Sequence, residues 1–420
     1  MNTTTRGWIV SALCALVAGC DGGGGAGPGP APGPGDGKPV VGKPGAGGGP
    51  GQKPDPAPAT CAVSADLDAF ITTRMEESRI PGLAAGIVTA GGLAWAKGYG
   101  LADIAAGRAA EPDTIFALMS IGKVATATGV MQLVEKGQLD LDANINDYLT
   151  AFDIVHPSFP DVPITLRQLL THTSGLAGDD YGVLQLNIAA SDAAVQPLGE
   201  MLSDLLVPGG SRYDGGSNFS DKAPGTDWAY SSIGISLAGF VAESVAGESF
   251  DVLTAASIFA PLGMSDTSWR LDPYQNKLDR LAVMYNWDET ARTHDVVAPF
   301  TFSDYPAGSI RSSVTEWSRF LAAMVDDGSF AGASIVSAAT AAGMREVQFP
   351  ELSSMQAIGW HRTASTRNLL GHGGDDAGAS TDMWYDLDTG KGVIMLMNVT
   401  RRPDTNAILD RLLDESDRCQ

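Results

Sequence analysis

The sequence predicts an α+β fold: an antiparallel sheet built from both chain ends, flanked by helices, with a mostly α-helical inserted subdomain. Three observations predict it. Strand-like runs joined by Gly-containing turns lie near the start and near the end of the folding part. Helical periodicity dominates the stretch between them, with the insertion at roughly 125–290. No repeat of 20–50 residues is visible, which excludes solenoids and propellers.

The elements follow in order. Residues 65–78 place Leu67, Phe70, Ile71 and Met75 at helical spacing, and Pro81-Gly82 ends that helix. Leu83–Thr89 and Leu93–Tyr99 flank Gly91-Gly92 as a hairpin. Ser120–Lys136 reads as a helix stopped by Gly137. Thr165 and Gln168 have capping-box spacing, as do Ser313 and Glu316 ahead of Trp317–Val325. Residues 178–225 are loop-rich, with one helix near Gly199–Leu206. Ile233–Val245 is an apolar helix ended by Gly247, with a short helix after it. Met383–Asp386 and Gly392–Asn398 form a second hairpin around Asp388-Thr389-Gly390, and Asn406–Leu413 closes the chain as a helix.

The first 60 residues carry none of this pattern. Arg6 precedes an apolar run, Trp8–Val17, and Val17-Ala18-Gly19-Cys20 follows: the outline of a secretory signal. A Cys just after the cut resembles the bacterial lipobox, so residues 1–20 are expected to be a lipoprotein signal peptide with Cys20 lipidated. An ordinary signal with an incidental Cys is the alternative. Residues 21–60, dense in Gly and Pro, cannot build a core and are expected to act as a disordered tether. The domain then begins at 61 and runs to 420. It is expected outside the cytosol, anchored to a bacterial membrane on its periplasmic or cell-surface face.

The formal net charge is −22. Beyond residue 60 the chain carries 23 basic against 46 acidic residues, which argues against a nucleic-acid partner. Of four Cys, Cys14 leaves with the signal. Cys61 and Cys419 remain, one at each end of the domain, and outside the cytosol a disulfide between them is expected. Two independent thiols are the alternative.

Several familiar sites are absent: there is no G-x-S-x-G, H-E-x-x-H or G-x-x-x-x-G-K-[ST]. The five His are scattered, none paired with another at metal-ligand spacing, so no metal or cofactor is expected. Ser120-Ile121-Gly122-Lys123 is the one S-x-x-K in the chain. At a helix start, residues i and i+3 share a face, so the Lys amine reaches the Ser hydroxyl and can take its proton. Tyr230-Ser231-Ser232 precedes an apolar helix, and a Tyr in a cleft beside a Lys can shuttle a proton. Gly371-His372-Gly373-Gly374 precedes the last hairpin; the glycines admit a substrate close to the backbone, and His can bind an anionic group. Each motif alone is weak.

Together, in this order, they resemble the serine β-lactamase and penicillin-binding-protein superfamily over about 80–415. The closest branch holds class C β-lactamases, D-alanyl-D-alanine carboxypeptidases, D-amino-acid peptidases and esterases. The string Leu169-Leu170-Thr171-His172-Thr173-Ser174-Gly175-Leu176 belongs to the same resemblance, with His172 and Ser174 read as structural. Pro261-Leu262-Gly263-Met264 and Ala307-Gly308-Ser309 extend it. The resemblance implies a β-lactamase-like fold, with Ser120 as acylated nucleophile, Lys123 as general base and Tyr230 as proton carrier to the leaving group. It places His372 and Gly374 on the substrate strand. The oxyanion hole it implies is the N–H groups of Ser120 and Asp375.

Two departures matter. The family's Tyr-x-Asn is Tyr230-Ser231-Ser232 here, so Ser232 replaces a substrate-binding amide and β-lactam hydrolysis is disfavoured. Asp375 and Asp376 put two negative charges beside the oxyanion strand, which disfavours anionic substrates. The resulting expectation is an exported serine hydrolase acting on small-molecule or peptide substrates. D-amino-acid-containing peptides or amides, cell-wall peptides among them, come first, followed by esters and β-lactams. A non-catalytic acyl-binding or sensing module is the reading from another class.

Overall fold

In a computed structural model of the chain, the residues described are 60–178, 188–363, 365–403 and 405–419. The predicted signal peptide, lipidated Cys20 and nearly all of the 21–60 tether lie outside them. The element order is helix α1 (Leu67–Ser78), strands β1 (Gly82–Thr89), β2 (Gly92–Asp103) and β3 (Arg108–Ala109), then helices α2 (Gly122–Glu135), α3 (Leu166–Leu170), α4 (Leu198–Leu206), α5 (Ser232–Ala246) and α6 (Val314–Val325). Strands β4 (His361–Arg362), β5 (Leu369–Asp376), β6 (Ala379–Asp386) and β7 (Lys391–Met397) follow, and α7 (Thr405–Ser416) is last. Other elements are left unlabelled.

The seven strands form one sheet in the order β4-β5-β6-β7-β1-β2-β3, antiparallel throughout. The join between the chain ends is the β1–β7 ladder, from Leu83↔Met397 to Val88↔Gly392. Period-two alternation splits β1 between two cores. Leu83, Ala85 and Ile87 face Leu67, Ile71, Ile408 and Leu412 of the terminal helices. Ala84 and Val88 face the α6 side, with Trp317 and Leu321. Each fully buried Leu or Ile contributes about 1.5–3 kcal/mol. Gly86 is where α6 comes nearest: a Cβ there would lie 2.6 Å from Val314 Cγ1.

Cys61 and Cys419 are joined in a disulfide. Beside it, Ser64 N–H donates to the Glu415 carboxylate (2.8 Å) and Arg411 reaches Asp66 (2.9 Å), so the terminal segments are also clasped by polar contacts.

The two expected capping boxes differ. At α3 the box is complete, with Thr165 accepting from Gln168 N–H and Gln168 reaching back to Thr165 N–H. At α6 only half of it forms: Ser313 accepts from Glu316 N–H (3.2 Å), but the Glu316 carboxylate turns away. It accepts from Asp266 N–H (2.9 and 3.0 Å) and the Thr267 hydroxyl (2.7 Å). Two donors of a partly buried loop outcompete one helix-end N–H, because burying them unpaired would cost more. The stretch between the sheet halves is also not wholly helical; Met284–Asp288 and Thr293–Val297 pair as a hairpin within it.

Candidate active site

Ser120 sits in a single 3-10 turn, Met119–Ile121, that runs into α2. Met119 has φ 53°, a left-handed value unfavourable for a side chain of its size. Neighbouring segments hold the turn: Leu118 N–H donates to Ile310 O (2.9 Å), and Leu118 O accepts the Thr381 hydroxyl of β6 (2.7 Å). Lys123 follows one turn on, 1% exposed. Its amine donates to Ser120 Oγ (3.0 Å) and to Ala307 O (2.7 Å). The S-x-x-K spacing thus yields a serine and a lysine in direct contact, with a backbone carbonyl fixing the lysine from behind.

Tyr230 lies just before α5, whose N-cap is Ser231: its hydroxyl accepts Gly234 N–H (3.2 Å). The Lys123 amine stands 5.0 Å from the centre of the Tyr230 ring. The His172 ring also lies against the tyrosine, ring centres 4.4 Å apart. Ser232, expected as a substrate contact, is the first residue of α5 and only 5% exposed.

The strand β5 supplies the opposite wall. A Cβ on Gly374 would lie 2.9 Å from Ser120 N and 2.5 Å from both Leu118 O and Thr381 Oγ1, so only glycine lets the strand pass this close. His372, two residues earlier, shares that face. Asp375 points to the other face, where both carboxylate oxygens meet Arg401 Nε (2.8 Å each). Arg401 also binds Asp382 (3.0 Å). The negative charge expected from Asp375 is therefore matched by a cation 26 residues away in sequence.

Three histidines converge here. His361, on β4, stands beside His372 (ring centres 5.1 Å apart), His172 (6.1 Å) and Tyr230 (6.2 Å). Burial, with the charges of His361 and Lys123, pushes His172 and His372 well below the usual imidazole range. Burial and then Lys123 push His361 down to about 4. All three are uncharged at neutral pH. The His372 Nδ1–H donates to Gly373 O (2.5 Å), while its buried Nε2 has no hydrogen-bond partner among the described residues. His372 is therefore a neutral group that offers no positive charge to a substrate. No motif marked His361. It arrives through the β4–β5 register, His361↔Gly371, which no local pattern encodes. No group of three or more His, Cys, Asp or Glu among the described residues is arranged to hold a metal ion.

The arrangement can support nucleophilic acyl transfer. A serine touches a buried amine, and a tyrosine ring stands beside that amine.

Comparison with known proteins places this site in context. Residues 67–417 match the family described as Beta-lactamase. The chain is 31% identical over 225 residues to Esterase EstB of Burkholderia gladioli, covering 54% of this chain and 55% of the esterase. It is 28% identical over 327 residues to Penicillin-binding protein 4 of Amycolatopsis lactamdurans, covering 76% and 80%. Among solved structures, the D-amino acid amidase of Ochrobactrum anthropi SV3 superposes with a TM-score of 0.64 at 23% identity, covering 84% of this chain and 99% of that one.

Proposed function

The chain belongs to the Beta-lactamase family of serine hydrolases, and from that premise we propose that Ser120 attacks small amide or ester donors and forms an acyl-enzyme, which water then hydrolyses. The observation that carries the reading is the 3.0 Å contact between Lys123 Nζ and Ser120 Oγ. In the proposed cycle Lys123 takes the Ser120 proton as Oγ bonds to the carbonyl carbon. The N–H groups of Ser120 and Asp375 receive the oxyanion; a single donor of this kind is worth about 10²–10³ in rate. Tyr230 delivers a proton to the departing group as its bond to carbon breaks, and recovers one from Lys123. Deacylation repeats the steps with water in place of the leaving group.

The donors proposed first are peptides or amides containing D-amino acids. A carboxylesterase is the second reading, supported by the three uncharged histidines, which offer no cation to a substrate carboxylate. The likeness to an esterase points the same way. We also propose that the protein is exported and lipid-anchored through Cys20, on the strength of the signal-like leader.

Intact-mass analysis after treatment with a fluorophosphonate tests the nucleophile. The expected result is one adduct on the wild type and none on Ser120→Ala; an unlabelled wild type would sink the acyl-enzyme reading. Turnover of p-nitrophenyl esters without release of D-Ala from D-Ala-D-Ala peptides would decide for the esterase.

A further inference from the structure

His172 lies in the stretch Leu169–Leu176 and has no part in the cycle above. Its backbone adopts φ 58°, in the left-handed region that a β-carbon disfavours. Strain of this kind persists where surrounding contacts require it. Here the contacts all lead to one place. The His172 carbonyl accepts Ala229 N–H (2.9 Å), and its Nδ1 accepts Ser231 N–H (3.1 Å). Those two residues flank Tyr230. The imidazole ring itself lies against the Tyr230 ring, 4.4 Å between centres and 34° between planes. One residue beyond, Thr173 O accepts Gly225 N–H (2.7 Å), extending the same alignment. His172 is 2% exposed, so nothing in solvent explains its conformation.

We propose that His172 is a positioning residue for Tyr230: it grips the backbone on both sides of the tyrosine and braces its ring against the Lys123 amine. The inference deepens the acyl-transfer reading and rests on its assignment of Tyr230 as proton carrier. The left-handed turn aims the carbonyl and the ring of one residue at the same target. Because Nδ1 accepts the Ser231 N–H, the ring proton sits on Nε2, and the imidazole holds this geometry only in its neutral form. In acylation the Ser120 Oγ–acyl bond forms, the bond to the leaving oxygen breaks, and the proton on Tyr230 goes to that oxygen. Misplacing Tyr230 slows the step in proportion to how much the leaving group needs that proton.

This dependence supplies the test. Ethyl butyrate and p-nitrophenyl butyrate give the same acyl-enzyme but differ in leaving group: ethoxide needs a proton and p-nitrophenoxide does not. His172→Asn suits the left-handed backbone better and keeps a side-chain acceptor, but removes the ring. It is expected to unfold at the same temperature as the wild type or higher. Its kcat/KM for the ethyl ester is expected to fall roughly 10–100-fold more than for the p-nitrophenyl ester. Tyr230→Phe is expected to show the same bias, and the double variant to lose no more than Tyr230→Phe alone. Equal losses on both esters, or additive losses in the double variant, would overturn the proposal. His172→Phe keeps the ring and loses the acceptor; should the Asn variant not fold, the same ratio is read from it with the same two outcomes. Fluorophosphonate labelling of wild-type Ser120 checks the underlying acyl-enzyme reading separately, so a failure of one is not mistaken for a failure of the other.

Discussion

Gly374 faces the backbone nitrogen of Ser120 so closely that a β-carbon there would lie 2.9 Å from it. Strand β5 and the Ser120 turn are thus brought together by the absence of a side chain.

The Gly374→Ala variant follows directly. The added methyl would also meet Leu118 O and Thr381 Oγ1 at 2.5 Å, both held in place by a hydrogen bond to each other. β5 must therefore move away from the Ser120 turn. Acylation is expected to fall by about 10²-fold or more, as for loss of an oxyanion donor, with the chain still folded. Burst kinetics with a p-nitrophenyl ester measure this; an unchanged burst rate would contradict the geometry.

Arg401 is expected to matter for the fold of the strand rather than for substrate charge. It bridges Asp375 and Asp382, and the Asp382 side chain is buried. Arg401→Gln leaves two carboxylates facing each other without their cation, which is strongly destabilising when buried. A lower urea midpoint is expected, partly restored by combining it with Asp375→Asn. A double variant no more stable than Arg401→Gln would refute the pairing.

The three buried histidines set a pH dependence of stability. Their folded-state pKa values lie below the ordinary 6.5, His361 at about 4. Between those limits the unfolded chain binds more protons than the native one, so stability falls as pH drops from about 6.5 toward 4. His361 alone contributes at most roughly 3 kcal/mol to that loss. Urea midpoints at pH 7.5, 5.5 and 4.5 are expected to decline, less steeply in His361→Gln. A variant with the wild-type slope would show that His361 is not the group being titrated.

The Cys61–Cys419 disulfide closes a loop with a sequence separation of 358. Replacing both cysteines with Ser is expected to cost up to about 5 kcal/mol through the unfolded chain's added freedom. Calorimetry of the two proteins measures the loss. Free-thiol titration of the denatured, unreduced wild type is expected to show neither Cys61 nor Cys419 free.

Much of this was legible in advance, because it is encoded locally. The β1–β2 hairpin, the Thr165 box and the Ser120–Lys123 spacing depend on residues within a few positions of one another. What escaped depends on register and tertiary approach. His361 reaches the site through strand pairing, Arg401 neutralises Asp375 across 26 residues, and Glu316 leaves its box for a loop 50 residues back. The neutrality of His372 escaped for a related reason: it comes first from burial, with His361 and Lys123 alongside, none of which its motif contains.

The sheet order carries a consequence for when this protein becomes active. Ser120 and Lys123 emerge in the first third of synthesis, but the wall they face, β5, joins the sheet beside β6 and β7, at the far end of the chain. A ribosome-bound chain therefore holds Ser120 and Lys123 without the strand that completes the pocket. The pocket is complete only once the last fifty or so residues have arrived, so it forms all at once, at the end of synthesis.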